Sequence, residues 1–188
     1  MSSVNRCPWA ESSELMIKYH DLEWGVPLHD DRGLFEFLVL DAFQAGLSWE
    51  ITLRKREAFR SAFDGFDPET VASYDGRKRE ELLGNPSIIR NRKKIEASIA
   101  NAGLFLDIRN AFGSFDDYIW GFTGGRVIRN SWQSVDQIPA FTAESEAMSR
   151  DLRGRGFRFV GPTICYSFMQ AAGMVNDHLV SCFRYDEV

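Results

Sequence analysis

Two pairs of residues that commonly bind metal ions lie near opposite ends of the sequence. His178 and Cys182 are four residues apart, a spacing that places both side chains on one face of a helical turn. Cys7 and His20 form a second pair near the other end. Two imidazoles and two thiolates are the ligands of a closed tetrahedral zinc site. The spacing alone leaves open that the cysteines are small core residues and the histidines ordinary hydrogen-bonded groups.

A zinc ion bound by these four residues would be structural. Four protein ligands leave no open position for a water molecule, so the ion would not hydrolyse a substrate. It would instead join the two chain ends and contribute to folding. Of the remaining candidates, Cys165 lies in an apolar helical pattern and is predicted to be core, and His29 is predicted to lie in a solvated turn.

Asp41 is a carboxylate at the edge of the apolar face of a predicted helix. It follows Leu34 by seven residues and Leu38 by three, so it lies beside the inward stripe. A buried, unpaired charge costs much free energy, so Asp41 must be hydrogen-bonded, paired with a cation, or lining a cavity. The alternative is a charge at the helix end or a link to the turn at Ser48.

Aromatic side chains are dense around this region, at Trp9, Tyr19, Trp24 and Trp49. Such density usually indicates core. A cavity walled by rings, with one or two placed polar groups, also suits a nucleobase extruded from DNA. Spacing alone does not decide between these interpretations.

Seven cations lie around one predicted turn between two helices. Residues 77–79 and 90–94 flank the breaker at 84–87. Backbone N–H groups at the start of the second helix, together with these cations, could hold DNA phosphates without sequence preference. The alternative is a solvated charged face.

Length and composition predict one compact unit spanning residues 1–188, with 44% hydrophobic residues to form its core. The net charge of −5 argues weakly against an extended basic surface but does not exclude a local patch. The sequence has no apolar run long enough to cross a membrane and no secretory signal. We therefore expect a soluble, cytoplasmic monomer, with its three cysteines reduced or bound to metal.

Apolar periodicity predicts an all-α fold with short connections. The residues at 124–128 leave either a small hairpin or a loop. Helices are predicted over 32–44, from Ser48 towards Phe63, from Asp67, after the 84–87 breaker with Ile88, Ile95, Ile99, Ala102 and Leu106 inward, over 115–122, from Thr142 to Leu152, and from Pro162 to Gly173.

Several ordered motifs, taken together, resemble the 3-methyladenine DNA glycosylase I family. They extend over nearly the whole chain, which makes the resemblance specific. They are CPW at 7–9, YHD at 19–21, EWGVP at 23–27, QAGLSW at 44–49, IIRNR at 88–92, FRFVGPTICYSFMQA at 157–171 and VNDH at 175–178.

The resemblance implies a helix-hairpin-helix DNA glycosylase fold with structural zinc on the four residues described above. It implies a hairpin region at about 67–107, with its turn at 86–89. The flipped base would stack on Trp49, with Tyr19 and Trp24 lining the pocket beside Trp9 and Met16. Gln44 and Leu47, at the turn containing Gly46, would fill the gap in the duplex. The DNA contacts predicted around the hairpin are Ser87, Ile88, Arg90, Arg92 and Lys93.

The implied activity is hydrolysis of the N-glycosidic bond of N3-methyladenine in alkylated double-stranded DNA. Methylation puts positive charge on the base and activates the leaving group, so a strong general acid is dispensable. Asp41 would favour the cationic base electrostatically, and a damaged base costs less to unstack. No lysine is assigned as a Schiff-base nucleophile, so lyase activity is not expected.

Two positions depart from the family pattern. The family usually carries Glu where this chain has Asp41, and commonly Tyr where it has Met16. Aspartate keeps the acceptor but is shorter by one methylene, so its reach or the pose of the base must change. Two alternatives stay open: a non-catalytic protein of the same fold that binds alkylation damage, and a zinc-stabilised DNA-binding module that releases no base.

Overall fold

Helices account for most of the chain, as the apolar periodicity predicts. The computed structural model describes residues 4–188. The α-helices are α1 (Glu14–Leu22), α2 (Asp31–Gln44), α3 (Trp49–Arg54), α4 (Arg56–Ala62), α5 (Pro68–Ala72), α6 (Gly76–Gly84), α7 (Arg92–Phe112), α8 (Phe115–Trp120), α9 (Ala143–Gly154) and α10 (Pro162–Ala171). Short 3₁₀ helices lie at Pro8–Ser12, Asp64–Phe66, Gly121–Thr123, Val135–Gln137 and Phe183–Asp186, and the strands are β1 (Ile128–Arg129) and β2 (Val175–Asn176).

Side-chain caps begin several of these helices where the sequence places them. The Asp67 carboxylate accepts a hydrogen bond from the Thr70 backbone N–H at the start of α5. At the start of α9, Thr142 and Ser145 form a reciprocal capping box. The predicted starts of α5 and α9 are therefore confirmed, although α9 continues past Leu152 to Gly154.

Two helical predictions need correction. The helix predicted from Ser48 is interrupted at Lys55, where the backbone leaves the helical region, and α3 and α4 are separate. The Lys55 ammonium donates to the Ser87 carbonyl oxygen at 2.9 Å, a tertiary contact invisible to local periodicity. Ile88 is buried but precedes α7, which begins after its cap at Asn91. Leu106 is only half-buried on this helix.

The segment predicted as a hairpin or loop at 124–128 is neither a hairpin nor wholly irregular. Ile128 and Arg129 pair in parallel with Val175 and Asn176. A parallel pair joins segments that are distant in sequence, so local patterning could not predict it.

The C-terminal half of α2 lies at the centre of the molecule. This helix packs against α3, α7, α8 and α10, and its residues 34–43 are all buried. The Lys94 ammonium donates to the carbonyl oxygens of Phe43 and Ala45, both at 2.7 Å. These bonds satisfy carbonyls that the end of a helix leaves unpaired, so Lys94 fixes the end of α2.

The end of α10 is held against residues 25–28. Gly173 ends the helix with φ +68°, and a Cβ there would lie 2.3 Å from the Val26 carbonyl carbon. The Leu28 N–H donates to the Ala172 carbonyl oxygen at 3.0 Å. The predicted terminator Gly173 is thus confirmed, because only glycine fits this approach.

Among residues 4–188, no helix combines the length and apolar character that a membrane span requires.

Candidate functional site

A cavity of about 410 Å³ opens where α1, the end of α2, the start of α3 and α10 meet. Seven of its lining residues are those the sequence singles out: Trp9, Met16, Tyr19, Trp24, Asp41, Gln44 and Trp49. Sequence reasoning missed the other five: Val135, Ile138, Ser167, Gln170 and Ala171. The polar pair Ser167 and Gln170, three residues apart on the apolar helix α10, is the signal that could have indicated this second wall.

Aromatic rings form much of the cavity wall. The rings of Trp9 and Trp24 pack edge to face with centroids 4.8 Å apart. Tyr19 and Trp49 form a tilted pair at 5.4 Å. The Trp49 ring also stacks on Phe37 behind it, at 6.5 Å. This packing fixes the ring orientations around the space that a flat ligand would occupy.

Asp41 brings an unpartnered carboxyl group to this cavity. Its side chain is 2% exposed, and no described residue hydrogen-bonds to its Oδ2 atom. Burial raises the pKa of this carboxyl well above its ordinary value. The pKa of the Tyr19 hydroxyl is also well above its usual range, because of burial and then the charge of Asp41.

The cavity is electrostatically one-sided. Among the residues described, no lysine, arginine or histidine lines it. A cationic ligand would meet rings and an acid without a competing positive charge, and binding it would favour the ionised form of Asp41. The lining of the cavity is therefore suited to a flat cation.

A second cluster brings together the four predicted metal ligands. The ligand atoms of Cys7, His20, His178 and Cys182 all lie within 4.8 Å of one another, and all four residues are buried. The Cys182 Sγ is 3.4 Å from His20 Nε2 and 3.6 Å from His178 Nδ1. His178 and Cys182 lie on an irregular turn after β2, so the predicted helical turn is wrong although their juxtaposition is right.

The donors in this cluster are oriented as metal ligands. His20 Nδ1 donates to Asp21 Oδ1 at 2.8 Å, and His178 Nε2 donates to the Trp24 carbonyl oxygen at 3.1 Å. The nitrogen lone pairs left over face the two sulfur atoms. Burial lowers the pKa of His178 to about 4, which keeps the imidazole in its neutral, metal-binding form. Burial raises the pKa of Cys7 to about 12, so its thiolate needs a cation nearby.

A family model described as methyladenine glycosylase matches residues 9–185. The chain belongs to this family. It is 45% identical over 182 residues to DNA-3-methyladenine glycosylase 1 of Escherichia coli (strain K12), with 97% of each chain covered.

Solved structures of the methyladenine glycosylase family share this architecture. The crystal structure of a 3-methyladenine DNA glycosylase I superposes with a TM-score of 0.92 at 48% identity, covering 95% of this chain and 98% of that one. The Staphylococcus aureus enzyme, whose structure concerns 3-methyladenine recognition, gives 0.92 at 35% identity, covering 96% of each. The mostly helical fold predicted from sequence is thereby confirmed.

In this member of the methyladenine glycosylase family, a tight turn projects an apolar tip beside the cavity. Gly46 adopts φ +81°, and the Leu47 N–H donates to the Gln44 carbonyl oxygen at 2.7 Å. The Gln44 side-chain Nε2 donates back to the Leu47 carbonyl oxygen at 2.9 Å. Leu47 is left 38% exposed at the tip of this turn.

Fewer cations of the turn between α6 and α7 are available to bind DNA than the sequence predicts. Arg90 and Lys93 are exposed and form no salt bridge with any described residue. Arg92 pairs with Glu80 at 3.1 Å, and Lys94 is buried at the end of α2. Ile88 is 2% exposed, so only its backbone could reach a ligand.

A second turn between helices, at residues 155–161, has no role assigned from the sequence. It joins α9 to α10 and carries two residues with positive φ, Gly156 and Phe159. Gly161 precedes α10 and has no side chain to cap it. Arg158 on this turn is exposed. Uncapped N–H groups beside a cation are suited to phosphate.

Proposed function

We propose that this methyladenine glycosylase excises N3-methyladenine from alkylated DNA by hydrolysing its N-glycosidic bond. The observation that carries the proposal is the buried, unpartnered Asp41 in a ring-walled cavity without cationic side chains. The family membership and the names of the relatives support the same reaction.

Electrostatic selection of the cationic base is the core of the mechanism. Alkylation at N3 places positive charge on adenine, and the buried Asp41 carboxylate stabilises that charge in a site of low dielectric constant. The bond between C1′ and N9 breaks with its electron pair passing to the base, which leaves neutral. A water molecule adds its oxygen to C1′ and releases a proton, leaving an abasic site.

The ring wall would hold the flipped base. Trp49 would stack on one face, with Tyr19, Trp24 and Trp9 around it and Met16 adding apolar surface. The cavity volume falls in the range of small-molecule sites, about 300–1,000 Å³. Stacking supplies affinity for any base, so discrimination must come from the polar groups.

DNA would approach the face bearing the cavity mouth. Leu47, held by Gln44 and Gly46, would fill the gap left by the flipped base. The turn at Ser87 and Ile88 offers backbone groups, and Arg90, Arg92 and Lys93 offer charge to phosphates. The helix-hairpin-helix description then applies to helix pairs such as α6–α7 and α9–α10. The double-stranded form of the DNA, a monomeric protein and a cytoplasmic location stay predictions.

The ligand cluster would hold a structural zinc ion. Two buried thiols and two oriented imidazoles match the donor set and compactness of closed zinc sites. Bound zinc would stabilise the thiolates of Cys7 and Cys182. The cluster takes no part in the reaction, because four protein ligands exclude a substrate or water.

Release of free base tests the function. Purified protein is incubated with methylated duplex DNA, and the released bases are separated by chromatography. The proposal expects free 3-methyladenine and abasic sites without strand cleavage. Tight binding of methylated DNA without release of any base would overturn catalysis and favour a damage-binding protein instead.

A further inference from the structure

A buried carboxylate behind the cavity accepts four hydrogen bonds. Asp177 is 1% exposed. Its Oδ1 accepts from Asn130 Nδ2 at 2.7 Å and from Trp132 Nε1 at 2.8 Å. Its Oδ2 accepts from the Tyr166 hydroxyl at 2.6 Å and from Gln170 Nε2 at 2.7 Å. Each oxygen of Asp177 therefore accepts two hydrogen bonds.

This arrangement fixes the orientation of the Gln170 amide. A side-chain amide has one donor end and one acceptor end, and only the NH₂ end can face an acceptor. With Nε2 bound to Asp177, the carbonyl Oε1 is the free end, and no described residue donates to it. The main chain of Gln170 is also held, because its carbonyl oxygen accepts from the Gly25 N–H at 3.1 Å.

Gln170 lines the same cavity as Asp41, from the opposite helix. α10 carries Gln170 and packs against α2, which carries Asp41. We infer, resting on the proposed function, that Gln170 Oε1 is a specificity-determining acceptor that shares the exocyclic amine of 3-methyladenine with Asp41. An amine offers two hydrogens, and these two groups supply an acceptor for each.

The pair of acceptors also rejects other purines. 3-Methylguanine carries a carbonyl oxygen where 3-methyladenine carries its amine. That oxygen would face two acceptors and leave all three groups without hydrogen bonds in a buried site. Sites built for a hydrogen-bonded group discriminate strongly against a ligand that lacks it.

Gln170→Met tests the inference, with Gln133→Met as the matched control on an exposed glutamine outside the cavity. Binding of free 3-methyladenine and free 3-methylguanine is measured by quenching of the tryptophan fluorescence. We expect Gln170→Met to reduce the preference for 3-methyladenine about ten-fold, the worth of one hydrogen bond in a charged site. A general loosening of the site would weaken both bases equally, so an unchanged preference overturns the inference.

The unmodified protein provides a second measurement should Gln170→Met fold poorly. A 3-methyladenine with one further methyl group on its amine keeps a single amine hydrogen. We expect it to bind about ten-fold more weakly than 3-methyladenine, and equal binding overturns the inference. Base release from methylated DNA by the unmodified protein is scored separately, so loss of the proposed function is distinguished from failure of the Gln170 assignment.

Discussion

Asp41 is placed where a negative charge destabilises the folded protein. Its carboxyl is buried, and among the described residues Oδ2 has no partner. Active sites commonly keep such groups because the ligand supplies the missing interaction. In this protein a cationic base would complete the hydrogen bonding and the charge balance of Asp41. Function and stability therefore oppose each other at this residue.

Asp41→Asn should lower excision and raise stability above acidic pH. Removing the charge that attracts the cationic base should reduce kcat/KM about 10²–10³-fold, the cost of losing one partner of a buried charge pair. Because burial raises the pKa of Asp41, the folded state keeps a proton that the unfolded state has lost above the ordinary carboxyl pKa. Wild-type stability should thus fall relative to Asp41→Asn as the pH rises from about 4 towards 8.

Single-turnover excision assays and thermal unfolding at several pH values check this prediction. Asp107→Asn, an exposed carboxylate on α7, is the matched control and should change neither property. Excision that is unchanged in Asp41→Asn would remove Asp41 from the mechanism.

Residue types at informative spacings were the part of the site that could be predicted. The sequence alone shows a histidine and a cysteine four residues apart, and an acidic residue beside an apolar stripe. Val135 and Ile138 were not, because their segment has no period and reaches the cavity through tertiary contacts. The sequence does not predict a role for Gln170, because that role depends on Asp177, which holds the Gln170 amide in one orientation.

At the scale of elements, Lys93 and Lys94 show how one residue step along a helix changes a role. Both belong to the basic run that the sequence assigns to DNA. In the structure Lys93 is exposed, whereas Lys94 is 6% exposed and bonded to the end of α2. Burial lowers the pKa of Lys94, yet two carbonyl oxygens still receive its hydrogens. Lys94 therefore supports the turn that carries Gln44 and Leu47.

Lys94→Met and Lys93→Met should affect different properties, stability and DNA binding respectively. Lys94→Met leaves the carbonyl oxygens of Phe43 and Ala45 unpaired and should lower the free energy of unfolding by about 2 kcal/mol. Lys93→Met should leave stability unchanged but weaken DNA binding, reducing the slope of log affinity against log salt by about one. Denaturant unfolding and binding titrations at several salt concentrations measure both. Equal effects of the two variants on stability would contradict this assignment.

The sequence predicts where helices occur better than it predicts whether a helix continues without a break. Asp67, Thr142 and Gly173 mark helix ends through local chemistry, and the structure keeps them. At the interruption, the Lys55 ammonium donates to the Ser87 carbonyl oxygen, more than thirty residues away. Local propensity has no access to such contacts.

At the scale of the whole molecule, the candidate metal-ligand cluster brings the N-terminal and C-terminal segments together. Cys7 and His20 come from the N-terminal segment, and His178 and Cys182 from the C-terminal one. The Phe183 N–H donates to the Asn5 carbonyl oxygen at 3.0 Å in the same region. The all-α class was predictable, whereas the parallel pairing of β1 with β2 was not, since it joins residues far apart in sequence.

Cys182→Ser should remove zinc and destabilise the protein. We expect one zinc per chain in the wild type, and loss of this ion with a lowered melting temperature in the variant, because zinc binds the folded arrangement only. Cys165→Ala is the matched control, since Cys165 is buried but lies outside the cluster. Metal analysis and thermal unfolding with a chelator measure the effect. The assignment would be contradicted if wild-type protein contained no zinc and had the same melting temperature with and without added zinc.

The adjacency of the described N-terminal and C-terminal segments also makes the chain a candidate for circular permutation. A short linker from Val188 to Val4, with new ends at the exposed turn of Gly124 and Gly125, would leave the helices intact. In that permutant the four ligands would fall within one short stretch of chain, as in a zinc finger. Closing a short loop loses less entropy than closing one of 171 residues. The unfolded permutant could therefore bind zinc more readily than the unfolded natural chain. Removing the metal should then destabilise the permutant less than the protein with its natural order.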